Sequence, residues 1–175
     1  MRAVYPGSFN PPTIGHIAIA NSAIKRFSIS ELHLAISTVA LGKEKLTVPS
    51  VADRIEILDK SLRLIPEASA LETPKQLIAD IAEGYDLAIL GADKWAQLHD
   101  LSFYKDEPHM AECLSRLPKL AVAPRNGIAV PQEILLPVPE EINSISSSEV
   151  RHGKFEWMTK EAFDLGKERG LWGLS

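Results

Sequence analysis

The 175-residue chain has one cysteine, no apolar run near the roughly 20 residues a membrane span needs, no surplus of basic residues and no internal repeat. Each shortage removes a class of function. Cys113 alone cannot form an internal disulfide and has no partner at the spacing of a structural zinc site, so a reducing, cytoplasmic setting is expected. Met1-Arg2 runs straight into a short strand-like segment rather than the apolar core of a signal peptide, so a soluble, unprocessed protein with no membrane partner is expected. Nineteen Lys+Arg against 23 Asp+Glu leave a formal net charge of −4, which gives no electrostatic footprint for gripping nucleic acid. What is there is 45% hydrophobic and 24% charged, the profile of one globular domain over residues 1–175 with a helical segment from about 152.

Strand-like and helix-like segments alternate along the chain. Ala3 to Tyr5 reads as a buried strand stopped by Pro6-Gly7, and Thr13 to Phe27 as a helix with Ile14, Ile17, Ala18, Ala20, Ile24 and Phe27 at helical spacing. Glu31 to Ser37 places Leu32, Leu34 and Ile36 on one strand face and His33 on the other. Ser50 opens a helix whose stripe Val51, Ile55, Leu58, Leu62, Ile65 ends at Pro66, with Arg54 on the opposite, solvated face. Leu71-Glu72 closes a third strand, and Thr73-Pro74-Lys75-Gln76 has the capping pattern of a helix running to about Glu83. Leu87 to Leu90 and Lys119 to Ala123 are further apolar strands, and Glu133 to Leu136 a short one. Ser146 to Glu149 starts a helix, and Thr159 to Arg169 forms the last, ended by Gly170. This alternation predicts a parallel sheet with helices on both faces, whose ligands bind at the carboxyl ends of the strands.

Three loops leave such ends with unusual residues: Gly7 to His16, Gly91-Ala92-Asp93, and the approach to Ser146-Ser147-Ser148. In the first, Gly7 permits close backbone approach, and Thr13 and His16 share a face of the opening helical turn, where free N–H groups favour an anion. A capped helix with one incidental histidine has the same local pattern. Ser146 to Glu149 is equally an ordinary capping box, and Asp93 an ordinary cap. Trp95 and Tyr104 read as packing aromatics, and His33, His99, His109 and His152 lie singly without metal-ligand spacing.

Gly7-Ser8-Phe9-Asn10-Pro11 followed by Thr13-Ile14-Gly15-His16 resembles the (H/T)xGH signature of the nucleotidylyltransferase superfamily, and Ile145 to Arg151 its second signature, ISSTxIR. Gly91-Ala92-Asp93 is similar to the GAD motif of pyridine nucleotide adenylyltransferases, whereas their usual NPPHK segment is replaced by Ser37 to Lys45. The resemblance implies a Rossmann-like doubly wound α/β fold and transfer of AMP from ATP to the phosphate of nicotinate or nicotinamide mononucleotide. It also implies Mg2+ bound through the ATP phosphates. It implies catalytic roles for His16 and Thr13, and ATP contacts from Gly7, Ser8, Phe9, Gly15, His16, Gly91, Asp93, Ser146, Ser147, Ser148 and Arg151. Lys43 and Asn10 fall to the acceptor. A homo-oligomer stays open. Two alternatives stand beside this reading: transfer to another phosphorylated acceptor such as phosphopantetheine, and a nucleotide-binding regulatory module without turnover.

Overall fold

The computed structural model describes residues 1–39 and 49–175. Five strands, β1 (Arg2–Pro6), β2 (Glu31–Ser37), β3 (Ala68–Thr73), β4 (Leu87–Gly91) and β5 (Lys119–Ala123), form one all-parallel sheet in the order β3-β2-β1-β4-β5. Alternate residues of each strand serve opposite faces. Ala3, Tyr5, Leu32, Leu34, Ile36, Leu87 and Ile89 pack with α1 (Ile14–Phe27) and α2 (Val51–Leu62). Val4, Ala35, Ala88, Leu90 and Val122 face α3 (Ile78–Ile81), α4 (Ala92–Gln97) and α5 (Glu107–Ser115) on the other side. This is the expected Rossmann-like doubly wound fold. The strand order reverses between β1 and β4, which puts the loops after Pro6 and Gly91 side by side at the switch point.

Small residues bring α1 close to the sheet. Gly15, Ala20 and Ala23 are its buried positions, while Ile14, read from the periodicity as core, is exposed. Helix α2 ends at Leu62, before Pro66, and is buried on two sides, because Ile57 packs with Val150, Met158, Ala162 and Leu171 from the C-terminal region. The solvated face expected around Arg54 is therefore covered.

Two local readings fail. Thr73 does not cap a helix: it ends β3 in register with Ser37, its carbonyl accepts the Thr38 N–H at 2.9 Å, and α3 begins only after Leu77. The sheet ladder outcompetes a short capping pattern. Glu133 to Leu136 makes a single bridge, Leu135 to Val122, rather than a strand, although Leu136 is fully buried. The last two α-helices, α6 (Ser147–Arg151) and α7 (Lys160–Arg169), fold back on the loop after β1, with the Thr159 N–H donating to the Pro12 carbonyl at 3.2 Å. Among the described residues no helix is long and apolar enough to cross a membrane.

Candidate active site

Thr13 caps α1, and that cap sets the His16 ring. Thr13 Oγ1 accepts the His16 main-chain N–H at 3.3 Å, and the Thr13 N–H donates back to His16 Nδ1 at 3.0 Å. A ring nitrogen that accepts carries its lone pair, so the neutral imidazole holds its proton on Nε2. Thr13 itself is buried, with Oγ1 2.9 Å from Nδ1. The sequence pattern has the two side chains pointing outward together; instead Thr13 is turned onto His16 and fixes it. Burial pushes the His16 pKa down to about 4, with the nearby Arg125 charge acting in the same direction. The ring is neutral at neutral pH.

The segment before the cap is packed rather than open. The Phe9 ring is buried edge-on against Tyr5 and His16, with centroids at 5.3 and 4.9 Å, and its backbone is left-handed at φ 43°. A Cβ on Gly7 would lie 2.9 Å from that ring, so glycine is needed there for close approach. Asn10 is buried; its Oδ1 accepts the Trp172 indole N–H at 2.6 Å, and its Nδ2 has no partner. Its Oδ1 is thus engaged by the C-terminal segment.

The second signature closes over the first. Ile145 packs so tightly on α1 that a Cβ on Gly15 would lie 3.0 Å from Ile145 Cγ2. Ser147 Oγ donates to the Pro11 carbonyl at 2.7 Å, and Arg151 Nη1 to the Asn10 carbonyl at 2.5 Å. Ser146 is the cap of α6, its hydroxyl accepting the Glu149 N–H at 3.1 Å. The hydroxyls of Ser146 and Ser147, read from sequence as phosphate contacts, therefore already have protein partners. Exposed Ser148 and the main-chain N–H groups of the first turn are what this end offers an anion.

Across the switch point, Asp93 does not cap α4, a position Gly91 takes; it pairs with Arg125 at 2.5 Å. A Cβ on Gly91 would meet nothing within 4 Å, so packing does not demand glycine there. Arg125 is the residue that sequence reasoning missed. In the sequence, Pro124 to Gly127 reads as a turn, and Leu120 to Gly127 resembles the strand and loop before the second signature in pyridine nucleotide adenylyltransferases, with no role marked for the arginine.

Beside these loops lies a cavity of about 220 Å³ whose lining includes Ser8, Ser37, Arg54, Lys94, Phe103 and Tyr104. Tyr104, read first as a packing residue, reaches the cavity, while Trp95 packs against His99, at 5.3 Å between centroids. Arg54, expected in solvent, is buried and donates from Nη1 to the Ser8 carbonyl at 3.1 Å. Lys43 lies outside the described residues.

One histidine has potential ligand neighbours on its own helix. His109, Glu112 and Cys113 on α5 bring three ligand atoms within 4.8 Å of one another. The Arg116 guanidinium bonds Glu112 and lies 3.7 Å from Cys113 Sγ, which places positive charge where a cation would sit.

The family model described as cytidylyltransferase-like matches residues 4–153. A probable nicotinate-nucleotide adenylyltransferase of Sulfurimonas denitrificans is 29% identical over 181 residues, covering 95% of this chain and 94% of its own. A phosphopantetheine adenylyltransferase of Nautilia profundicola is 33% identical over 89 residues, 51% of this chain and 54% of its own. Among solved structures, Plasmodium falciparum nicotinic acid mononucleotide adenylyltransferase complexed with NaAD superposes at a TM-score of 0.69 with 15% identity, covering 99% and 98% of the two chains.

Proposed function

The chain belongs to the cytidylyltransferase-like family, and from that premise we propose that it moves AMP from Mg-ATP to the phosphate of a pyridine mononucleotide, nicotinate or nicotinamide mononucleotide, releasing pyrophosphate. The observation that carries the reading is the meeting of His16, its Nε2–H unpaired, with the start of α6 and Arg151 beside the switch point. In the reaction an acceptor phosphate oxygen bonds to the α-phosphorus while the bond to the bridging oxygen breaks, its electron pair leaving with pyrophosphate. No protein nucleophile is needed; the site's task is in-line positioning and stabilisation of charge.

His16 Nε2–H donates to the α-phosphate, and Thr13 holds the ring in that tautomer. Ser148, the first N–H groups of α6 and Arg151 meet the β and γ phosphates, Ser146 and Ser147 keeping that helix start seated on the loop after β1. Buried Phe9 contributes through its backbone and by backing His16. Gly91 and Asp93 border the nucleoside side, Asp93 keeping Arg125 in place. Magnesium, arriving with ATP, would neutralise part of the phosphate charge. The acceptor occupies the cavity, its ring toward Phe103 and Tyr104. The family relatives named for nicotinate nucleotide support this choice, and an ATP-dependent enzyme with a single buried thiol suits the cytoplasm.

The test is pyrophosphate release from Mg-ATP with nicotinate mononucleotide, nicotinamide mononucleotide, phosphopantetheine or no acceptor. Release that depends on a pyridine mononucleotide supports the proposal. Release with phosphopantetheine alone replaces the acceptor, and ATP binding without release in any arm replaces the enzyme with a binding module.

Two further results are expected. Arg151→Ala raises the KM for ATP about three- to tenfold with a smaller change in kcat, because that cation meets phosphates in the ground and transition states alike. An effect confined to kcat contradicts it. Because His16 is already neutral, kcat/KM for ATP shows no histidine inflection between about pH 6 and 8. Its lowered pKa means the unfolded chain binds the extra proton first, so stability from this group declines as pH falls through 6.5 toward about 4. A midpoint near 6.5 that disappears in His16→Gln would be inconsistent with a neutral, half-buried ring.

A further inference from the structure

We propose that Arg54 receives the phosphate of the acceptor, a phosphate monoester, in the cavity beside the carboxyl ends of β1 and β2; this deepens the function proposed above and rests on it. Arg54 is 6% exposed and lines that cavity, yet among the described residues its guanidinium makes a single hydrogen bond, from Nη1 to the Ser8 carbonyl, and its buried Nε has no partner. Among the described residues it forms no ion pair. Arg2, Arg63, Arg116, Arg125 and Arg169 each hold a carboxylate, and Arg26 and Arg151, which like them are not buried, keep contact with water. Burial lowers the Arg54 pKa and no neighbouring carboxylate raises it back. A guanidinium taken out of water without a counter-charge is costly, and an anion entering the cavity supplies what the protein does not.

Position selects the phosphate over other anionic groups. Arg54 is tied to Ser8, in the loop that runs on through Phe9 to Thr13 and His16. The nucleophile must reach the α-phosphate near His16, so the acceptor's phosphate belongs at this end of the cavity. Phe103 and Tyr104 offer flat apolar surface for the rest of the molecule. A planar guanidinium also matches phosphate oxygens two at a time, which a lysine does not.

The test is calorimetric binding of nicotinate mononucleotide, nicotinamide mononucleotide and phosphopantetheine, without ATP, to the wild type, Arg54→Lys and Arg54→Gln, alongside KM values for ATP and acceptor. Arg54→Lys is expected to weaken both mononucleotides about tenfold and by the same factor, with Arg54→Gln weaker still, while the KM for ATP stays within about twofold. Unchanged affinity overturns the proposal. So does a parallel loss for ATP and acceptor, the mark of a residue that only holds Ser8. Loss confined to nicotinate mononucleotide overturns it too, because the charge then meets the ring carboxylate. A wild type that binds none of the three leaves Arg54 no phosphate monoester to receive and also overturns it. Binding that depends on Arg54 without any pyrophosphate release keeps this inference and sinks the catalytic reading; release with Arg54-independent binding does the reverse.

Discussion

His16→Ala is expected to lower turnover by about 10² or more while ATP affinity falls only a few fold, because its Nε2–H meets charge that grows as pyrophosphate leaves. The geometry makes the expectation specific. The Thr13 N–H occupies Nδ1, so the proton that the ring offers is on the side away from the helix start. The variant also frees that N–H and removes the ring packed on Phe9, a stability loss of about 1–2 kcal/mol. Steady-state kinetics and ATP calorimetry on the same preparation, with urea unfolding as a control, separate the two effects. Equal losses in turnover and in ATP binding would contradict a contact that strengthens in the transition state.

Trp172→Ala is expected to destabilise the protein by about 2–4 kcal/mol, seen as a fall in Tm of roughly 5–15 °C, and to raise the KM for ATP. Trp172 packs with Leu171 and Leu174 against Ile57, Val150, Met158 and Ala162, and its indole N–H holds Asn10 Oδ1. Its backbone is left-handed at φ 56°, an uncommon conformation for a bulky residue that alanine also dislikes, so the substitution gives no relief of strain. The Asn10 carbonyl receives Arg151, so slackening Asn10 loosens the cation proposed for ATP. Trp172→Phe divides the effect: it retains most of the packing and loses the hydrogen bond, about 1 kcal/mol directly. A phenylalanine variant with wild-type KM for ATP would show that the bond to Asn10 has no role in binding.

Where local chemistry decides, the sequence is readable. β2 and β5 occupy the expected residues, Thr13, Ser50, Ser146 and Thr159 all cap helices, and Gly170 ends α7 in a left-handed turn. Where distant segments decide, it is not. Arg54 and Ile57 sit on the side of α2 away from its apolar stripe, and nothing in residues 51–62 announces the C-terminal elements that help cover it. Thr73 carries a good capping pattern but lies next to Ser37 in the ladder. The short helices α4 and α5 fall where apolar periodicity is weak.

The site divides the same way. Motif spacing finds Thr13, His16, Ser146 and Arg151, and the fold brings them together. Their division of labour depends on hydrogen-bond direction, which no spacing encodes: Thr13 serves His16, Ser147 serves Pro11, and Asn10 serves Trp172. Arg125 stayed hidden because its proximity to His16 arises only once β5 lies beside β4.

The bond between Asn10 and Trp172 joins residues 162 positions apart. A growing polypeptide makes its amino-terminal strand and loop first, long before their clasp exists. Arg151 reaches the Asn10 carbonyl only late in synthesis, and Trp172 reaches Asn10 Oδ1 later still. The sheet can assemble as translation proceeds, but the nucleotide loop is set only at the finish. A chain stopped before residue 172 is therefore expected to lack the clasp on the loop after β1 and to bind ATP less tightly than the full 175 residues.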